Sequence, residues 1–418
     1  MTPEPKPDPR RWIVLASYML FTMAVEGQWV ALTPVARPAE RFYGAQIHPG
    51  SLFGVDFLAM IFLLTYLVGS VPASRVLGNA GLRRGLAVGA LLGGAGALLK
   101  AFGAFNFWVV LAGQVLLGLG QPFVLNAATT LGARWFPMGE RALAVGLATL
   151  AQFLGIAGAM ILGPMLVVGD AGSAAYGSGV AGLLRVHGAF TVAAGLLCLA
   201  LVREPRASAE ALAPQPRSAS PLRDVLRCRD FQLTLVLFAI GLGILNALSG
   251  MEDAVAAHIG AVDSDGMLGA CLIGGGIVGA LILPALSDHF RRRRPFLILG
   301  LCGMVPGVAG MAWAGRLAPD PAAAYLLAKI AAGWFGFFLI GGGSIGFQFA
   351  AEITHPAPEA ASQGLLLLAG QVTGILFMVM MSQRTLLGPT LLLFTVLAAL
   401  SGAATWLLKE SPLARGQA

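Results

Sequence analysis

Stretches of about 20 mostly apolar residues, each long enough to cross a bilayer as a helix, recur from one end of this chain to the other. Turn and loop residues separate them, and no long polar segment intervenes that could form a separate soluble domain. Over 418 residues, 57% are hydrophobic and only 11% are charged. Mean hydropathy is +0.79. Too little charge is left to cover a soluble surface. In lipid every backbone N–H and C=O must be satisfied within the protein, and helices do this segment by segment. The pattern therefore predicts an all-α integral membrane protein.

Punctuation by Pro, Gly, Asp and Arg gives twelve spans, near 12–35, 53–76, 84–103, 107–132, 142–168, 183–202, 232–257, 266–287, 295–315, 323–351, 361–383 and 388–408. With both termini cytoplasmic, twenty of the 27 Lys and Arg fall in inner segments. The other seven, Arg37, Arg41, Lys100, Arg185, Arg316, Lys329 and Arg384, fall outside or at outer ends. The bias predicts a tail (1–11), a six-helix bundle (12–202), a cytoplasmic linker (203–230), a second six-helix bundle (231–408) and a second tail (409–418). The net charge of +7 sits in short loops, so it reads as membrane anchoring and not as nucleic-acid binding. "MTPEPKPDPRR" has no signal-peptide character, and the first span is expected to be retained. Cys198, Cys228, Cys271 and Cys302 show no CxxC and no metal spacing. Arg far outnumbers Lys, and Ala and Gly abound, which points to a bacterial cytoplasmic membrane. The expected state is a monomer without cofactor or metal.

The halves echo each other. "SVPASRVLGNAGLRRGLAVG" follows span 2 and "ILPALSDHFRRRRPFLILG" follows span 8, each with a Pro, a basic loop and an immediate return. Two repeated six-helix halves are the plan of the major facilitator superfamily. The second loop resembles that superfamily's signature, with Asp288 and Arg291 to Arg293 in place; the first copy lacks the acid, having Gly78 or Asn79 there. Three blocks are more specific. Residues 113–167, opening "GQVLLGLGQPFVLNAATTLGARWFP", residues 346–376, "GFQFAAEITHPAPEAASQGLLLLAGQVTGIL", and residues 55–83, "VDFLAMIFLLTYLVGSVPASRVLGNAGLR", resemble solute carrier family 49, the feline leukaemia virus subgroup C receptor-related family. The resemblance is loose in spans 6, 9 and 12. It implies a carrier of small, often cationic solutes. Choline and ethanolamine are the best-supported substrates of one branch, haem has been claimed, and another branch is linked to proton-coupled pyridoxine transport. Trp29 matches the tryptophan of the family's choline cage, and Gln121 and Gln371 match its glutamine contacts. Asn246 stands where choline carriers place a tyrosine, and acids are gained nearby.

Ionisable residues inside a bilayer are costly and face the bundle interior. Glu26 in span 1 and Glu252 with Asp253 in span 7 are the deepest, with Asp56 and Glu352 nearer span ends. Glu26 and Trp29 are three apart and share a helical face. A tryptophan face attracts an ammonium group and a carboxylate neutralises it. The alternative for Trp29 is packing. In span 7, Asn246, Ser249 and Asp253 are spaced to form one polar stripe, flanked by Glu252. Glu26, Glu252 and Asp253 are also candidates to carry a proton during the cycle. Gln121, Gln152 and Gln371 fall mid-span and are either solute contacts or helix–helix glue. Phe62 and Tyr66 add aromatic wall. The glycine runs "IGGGIVGA" (273–280) and "IGGGSIG" (340–346) are read as close-packed helix seams. At the inner ends, Asp288 with Arg291 is expected to form a gate, as are Glu352 and Glu359 paired with Arg134 or Arg141.

These features predict a secondary transporter that takes up a small organic cation by alternating access, with proton coupling as an option. The alternatives are a neutral or anionic metabolite, a drug-like compound, or a non-transporting receptor of the same fold. Haem fits less well, because none of the histidines is placed mid-span to supply an axial ligand. No nucleophile–base pair suggests an enzyme, and no G-x-x-x-x-G-K-[ST] loop suggests ATP use.

Overall fold

The computed structural model describes residues 8–47, 53–203, 225–261, 266–354, 359–383 and 385–410; most of the expected 203–230 linker lies outside them. Fifteen helices run through these residues: α1 (Arg11–Trp29), α2 (Ala36–Tyr43), α3 (Asp56–Ala80), α4 (Leu82–Phe102), α5 (Phe107–Leu125), α6 (Ala127–Trp135), α7 (Met138–Leu166), α8 (Val180–Leu201), α9 (Arg229–Gly250), α10 (Glu252–His258), α11 (Met267–Phe290), α12 (Arg294–Leu317), α13 (Pro321–Ile353), α14 (Glu359–Ser382) and α15 (Leu387–Thr405). Among the described residues, twelve spans are long and apolar enough to cross a membrane. Each overlaps one of the twelve read from the sequence.

Side chains on these helices are arranged for lipid. On α4 the buried face carries Gly85, Gly89, Gly93 and Gly96, while Leu91 and Leu98 are exposed. Between membrane helices there is no water to expel, so small residues that let backbones approach form the contact face. The same logic packs α11 on α13. There a Cβ on Gly279 would run into the Phe337 carbonyl, and one on Gly275 into that of Gly333. Helix starts are capped where the sequence allows. The Asn106 side chain accepts from the backbone N–H groups of Trp108 and Val109 at the start of α5, and Asp320 caps α13 ahead of Pro321.

The chain divides into two compact units. One holds α1, α4 to α8, α2 from Pro38, and α3 from Ile61; the other holds α9 to α15 together with Leu32–Arg37 and the first turn of α3. In the first unit α1 packs on α5, α7 and α8, and α4 packs on α5 and α8. In the second, α13 packs on α11 and α12, and α9 on α14.

Two spans differ from their sequence reading. Span 1 stops at Trp29, and the chain passes through a short 3-10 turn, Thr33–Val35, before α2. Pro34 explains the break: its ring clashes with the carbonyl four residues back and it offers no N–H. Span 7 breaks at Met251, whose φ of −140° and ψ of 36° are not helical. It follows the pair Ser249–Gly250, a weak helix former. The continuous stripe expected from Asn246 through Ser249 to Asp253 is therefore interrupted. Asn246 and Ser249 sit on α9, and Asp253 sits on the separate helix α10.

Candidate functional site

In the first unit, Glu26 lies near the end of α1 and is 3% exposed. Gln121 of α5 donates its Nε2–H to Glu26 Oε1 at 2.6 Å. No Lys, Arg or His side chain bonds that carboxylate among the described residues, and the Gln121 Oε1 is itself buried without a partner. One turn along α1, the Trp29 ring stacks on Phe62 of α3, with centroids 6.4 Å apart and planes 17° apart. α3 and α5 meet closely here: a Cβ on Gly118 would lie 2.8 Å from the Phe62 carbonyl oxygen. Gly118 is one turn before Gln121, so the amide and the aromatic wall come from neighbouring surfaces. Tyr66 is buried one turn beyond Phe62, and its hydroxyl reaches the Asn126 Oδ1 at 3.4 Å. The sequence-predicted residues Glu26, Trp29, Phe62, Tyr66 and Gln121 are thus gathered by α1, α3 and α5.

In the second unit, Asn246 of α9 donates Nδ2–H to Gln371 Oε1 of α14 at 3.3 Å. The Ser249 Oγ on the same face is buried without a partner among the described residues. Asp253 does not join them. Arg37 donates its backbone N–H to Asp253 Oδ2 at 2.9 Å and its guanidinium NH2 to Oδ1 at 2.6 Å. Arg37, read from sequence as an outer anchor, therefore neutralises the acid read as a solute or proton site. Glu252 is buried beside it on α10. Gln152 of α7 is only half-buried.

At the ends of α11, α12 and α13 the expected gate has other partners. Arg293, not Arg291, bonds Asp288. Arg291 is exposed and ends α11 in a left-handed conformation, φ 51°. The expected partners of Glu352 are Arg134 or Arg141; its Oε1 is held instead by the Arg293 NH2 at 3.1 Å. The physical reason is local: Arg293 opens α12 and Glu352 closes α13, and those helices pack together. Burial works against the Arg293 charge, but its bonds to Asp288 and Glu352 outweigh this and hold the guanidinium above its ordinary range. The side chains of Arg141 and Glu359 lie outside the described residues; Arg134 sits in the last turn of α6.

Sequence reasoning also missed a buried base. Lys100, read as an outer anchor, is 1% exposed and donates to Gln114 Oε1 at 2.6 Å. Its location near a span end hid it; a glutamine early in the next span was the available signal. His187, read as lying near a span end, is buried in α8 beside Gly27.

The sequence profile of the Major Facilitator Superfamily matches residues 14–378. Solute carrier family 49 member A3 of Danio rerio is 30% identical over 385 residues, covering 89% of this chain and 78% of that protein. The chain belongs to solute carrier family 49. Within the superfamily it is a membrane transporter, and twelve helices among its described residues are long and apolar enough to span. The human choline/ethanolamine transporter FLVCR2 is 27% identical, covering 90% of this chain and 72% of that protein. An uncharacterized MFS-type transporter of Caenorhabditis elegans is 28% identical; the chain spans 64% of its length. Among solved structures, a D-xylose-proton symporter aligns over 97% of this chain and 99% of its own, with a TM-score of 0.75 at 16% identity. At that identity the likeness is one of fold.

Proposed function

We propose that this family 49 transporter carries a small organic cation, an amine of the choline or ethanolamine class, by alternating access. One observation carries the reading: the Glu26 carboxylate is buried, has a single neutral hydrogen-bond donor among the described residues, and lies one helical turn from the Trp29 face. A buried carboxylate without a cation is unfavourable in lipid. An ammonium group completes it, and the tryptophan face adds cation–π attraction, about 0.5–2 kcal/mol depending on desolvation. A proton completes it as well, so the same group offers a route to proton coupling. The names of the relatives, choline/ethanolamine transporters, agree with this chemistry. Both termini are placed in the cytoplasm on the basis of the Lys and Arg distribution. Composition, and not the animal relatives, favours a bacterial membrane.

The test is uptake of radiolabelled choline, ethanolamine and pyridoxine into proteoliposomes, with and without an inward proton gradient. Wild type is compared with Glu26→Gln and Trp29→Ala. Saturable amine uptake that both substitutions weaken without eliminating is the expected result, and acceleration by the gradient would establish proton coupling. Uptake of none of the three by the wild type would overturn the solute assignment.

A further inference from the structure

α1 ends at Trp29 among buried residues, and its end is held by two side chains that the transport reading leaves unused. The last carbonyls of any helix lack intrahelical partners, and in lipid no water replaces them. Here Lys100 Nζ of α4 donates to the Gln28 carbonyl at 3.2 Å. Gln114 Nε2 of α5 donates to the carbonyls of Gln28 and Trp29 at 3.4 and 3.3 Å. Lys100 also donates to Gln114 Oε1 at 2.6 Å, which closes the set. A cation at a helix C-terminus meets the negative end of the helix dipole, so the ammonium suits this place without a carboxylate. The position is built for the lysine: a Cβ on Gly113 would lie 2.8 Å from Lys100 Cγ. From the third side, Gln28 Nε2 donates to Thr191 Oγ1 of α8 at 3.1 Å, and the His187 ring faces Gly27. His187 is the titratable side chain that α8 brings to this end of α1.

We propose that Lys100 and Gln114 form a clasp on the broken end of α1 that fixes the position of Trp29, and through it the affinity of the cation site. Both are positioning residues, since their atoms bond the backbone of α1 and not the solute. The proposal rests on the reading of Trp29 as a site residue. The clasp bonds the carbonyls of Gln28 and Trp29, so its hold falls on the residue that carries the ring.

The experiment uses full-length protein labelled with 5-fluorotryptophan, with the Trp29 resonance assigned by Trp29→Phe among the seven tryptophans. Lys100→Met and Gln114→Leu are expected to shift that resonance and leave the other six in place, and Lys100→Arg to restore it. Choline binding is expected to weaken at least about fivefold in Lys100→Met and to show no further loss when Lys100→Met is added to Trp29→Ala, the non-additivity of residues acting as one unit. If Lys100→Met does not fold, Gln114→Leu carries both measurements. An unmoved Trp29 resonance in either folded variant would overturn the clasp, as would fully additive losses in the Trp29→Ala background. Should the wild type bind no choline, the solute reading fails, and the fluorine spectrum, recorded without ligand, still decides the clasp.

Discussion

The bond from Gln121 to Glu26 is the smallest unit on which the transport reading can be pressed. It joins a neutral donor to a carboxylate in a dry environment, where hydrogen bonds to charged groups contribute about 1.5–3 kcal/mol. Replacing Gln121 with Leu keeps the volume roughly constant and removes the donor, so the charged form of Glu26 loses its only protein partner among the described residues. Weaker amine binding and a lower Tm in detergent are the expected outcomes, the former absent in a Glu26→Gln background. Unchanged affinity would show that Gln121 merely glues α5 to α1. Legibility at this scale followed chemistry. Glu26, Trp29 and Gln121 stood out because each is an uncommon residue within an apolar run. Lys100 was as conspicuous but sat near a span end, where a lysine ordinarily reaches the interface. Only the neighbouring α5, with Gly113 making room and Gln114 accepting, turns it inward.

At the scale of helices, apolar length located every span, but the breaks were not placed. Pro34 favours the break after α1, yet prolines such as Pro72 and Pro122 sit inside unbroken helices, so its effect was absorbed into an unbroken span 12–35. The Met251 break moved Asp253 off the α9 face and left it to Arg37, a partner 216 residues away in sequence. No local pattern contains such a pairing. The glycine seams were legible as a class, and the structure separates their members. On α11, Gly279 faces the Phe337 backbone, while Gly274 has open space where a Cβ would be. Gly279→Ala is therefore expected to push α11 from α13 at a cost of about 1–3 kcal/mol, typical of overpacking. Gly274→Ala is expected to be neutral or to stabilise by up to about 1 kcal/mol through helix propensity. Thermal unfolding of the two variants checks this, and an equal effect would refute the seam as the structure draws it.

For the molecule as a whole, two different sequence signals carry different parts of the architecture. Hydropathy counts the spans and the 203–230 polar stretch divides them, but the units that actually cohere follow tertiary contacts. Leu32–Arg37 and the start of α3 group with α9 to α15, which the Arg37–Asp253 pair helps to explain. Orientation rests on charge alone, through the cost of moving basic loops across a membrane, and it makes a sharp demand. An even number of spans puts both tails on one face and the exposed loop between α7 and α8 on the other. In a cysteine-free background, Thr2→Cys and Gln417→Cys are expected to react with a membrane-impermeant maleimide only in inside-out vesicles. Ala174→Cys, exposed in that loop, is expected to react only in intact cells. If the two tail positions labelled from opposite faces, the span count would be odd and the two-bundle plan would fail. If both labelled from outside while Ala174→Cys labelled from inside, the plan would stand and the charge rule would have misread its direction.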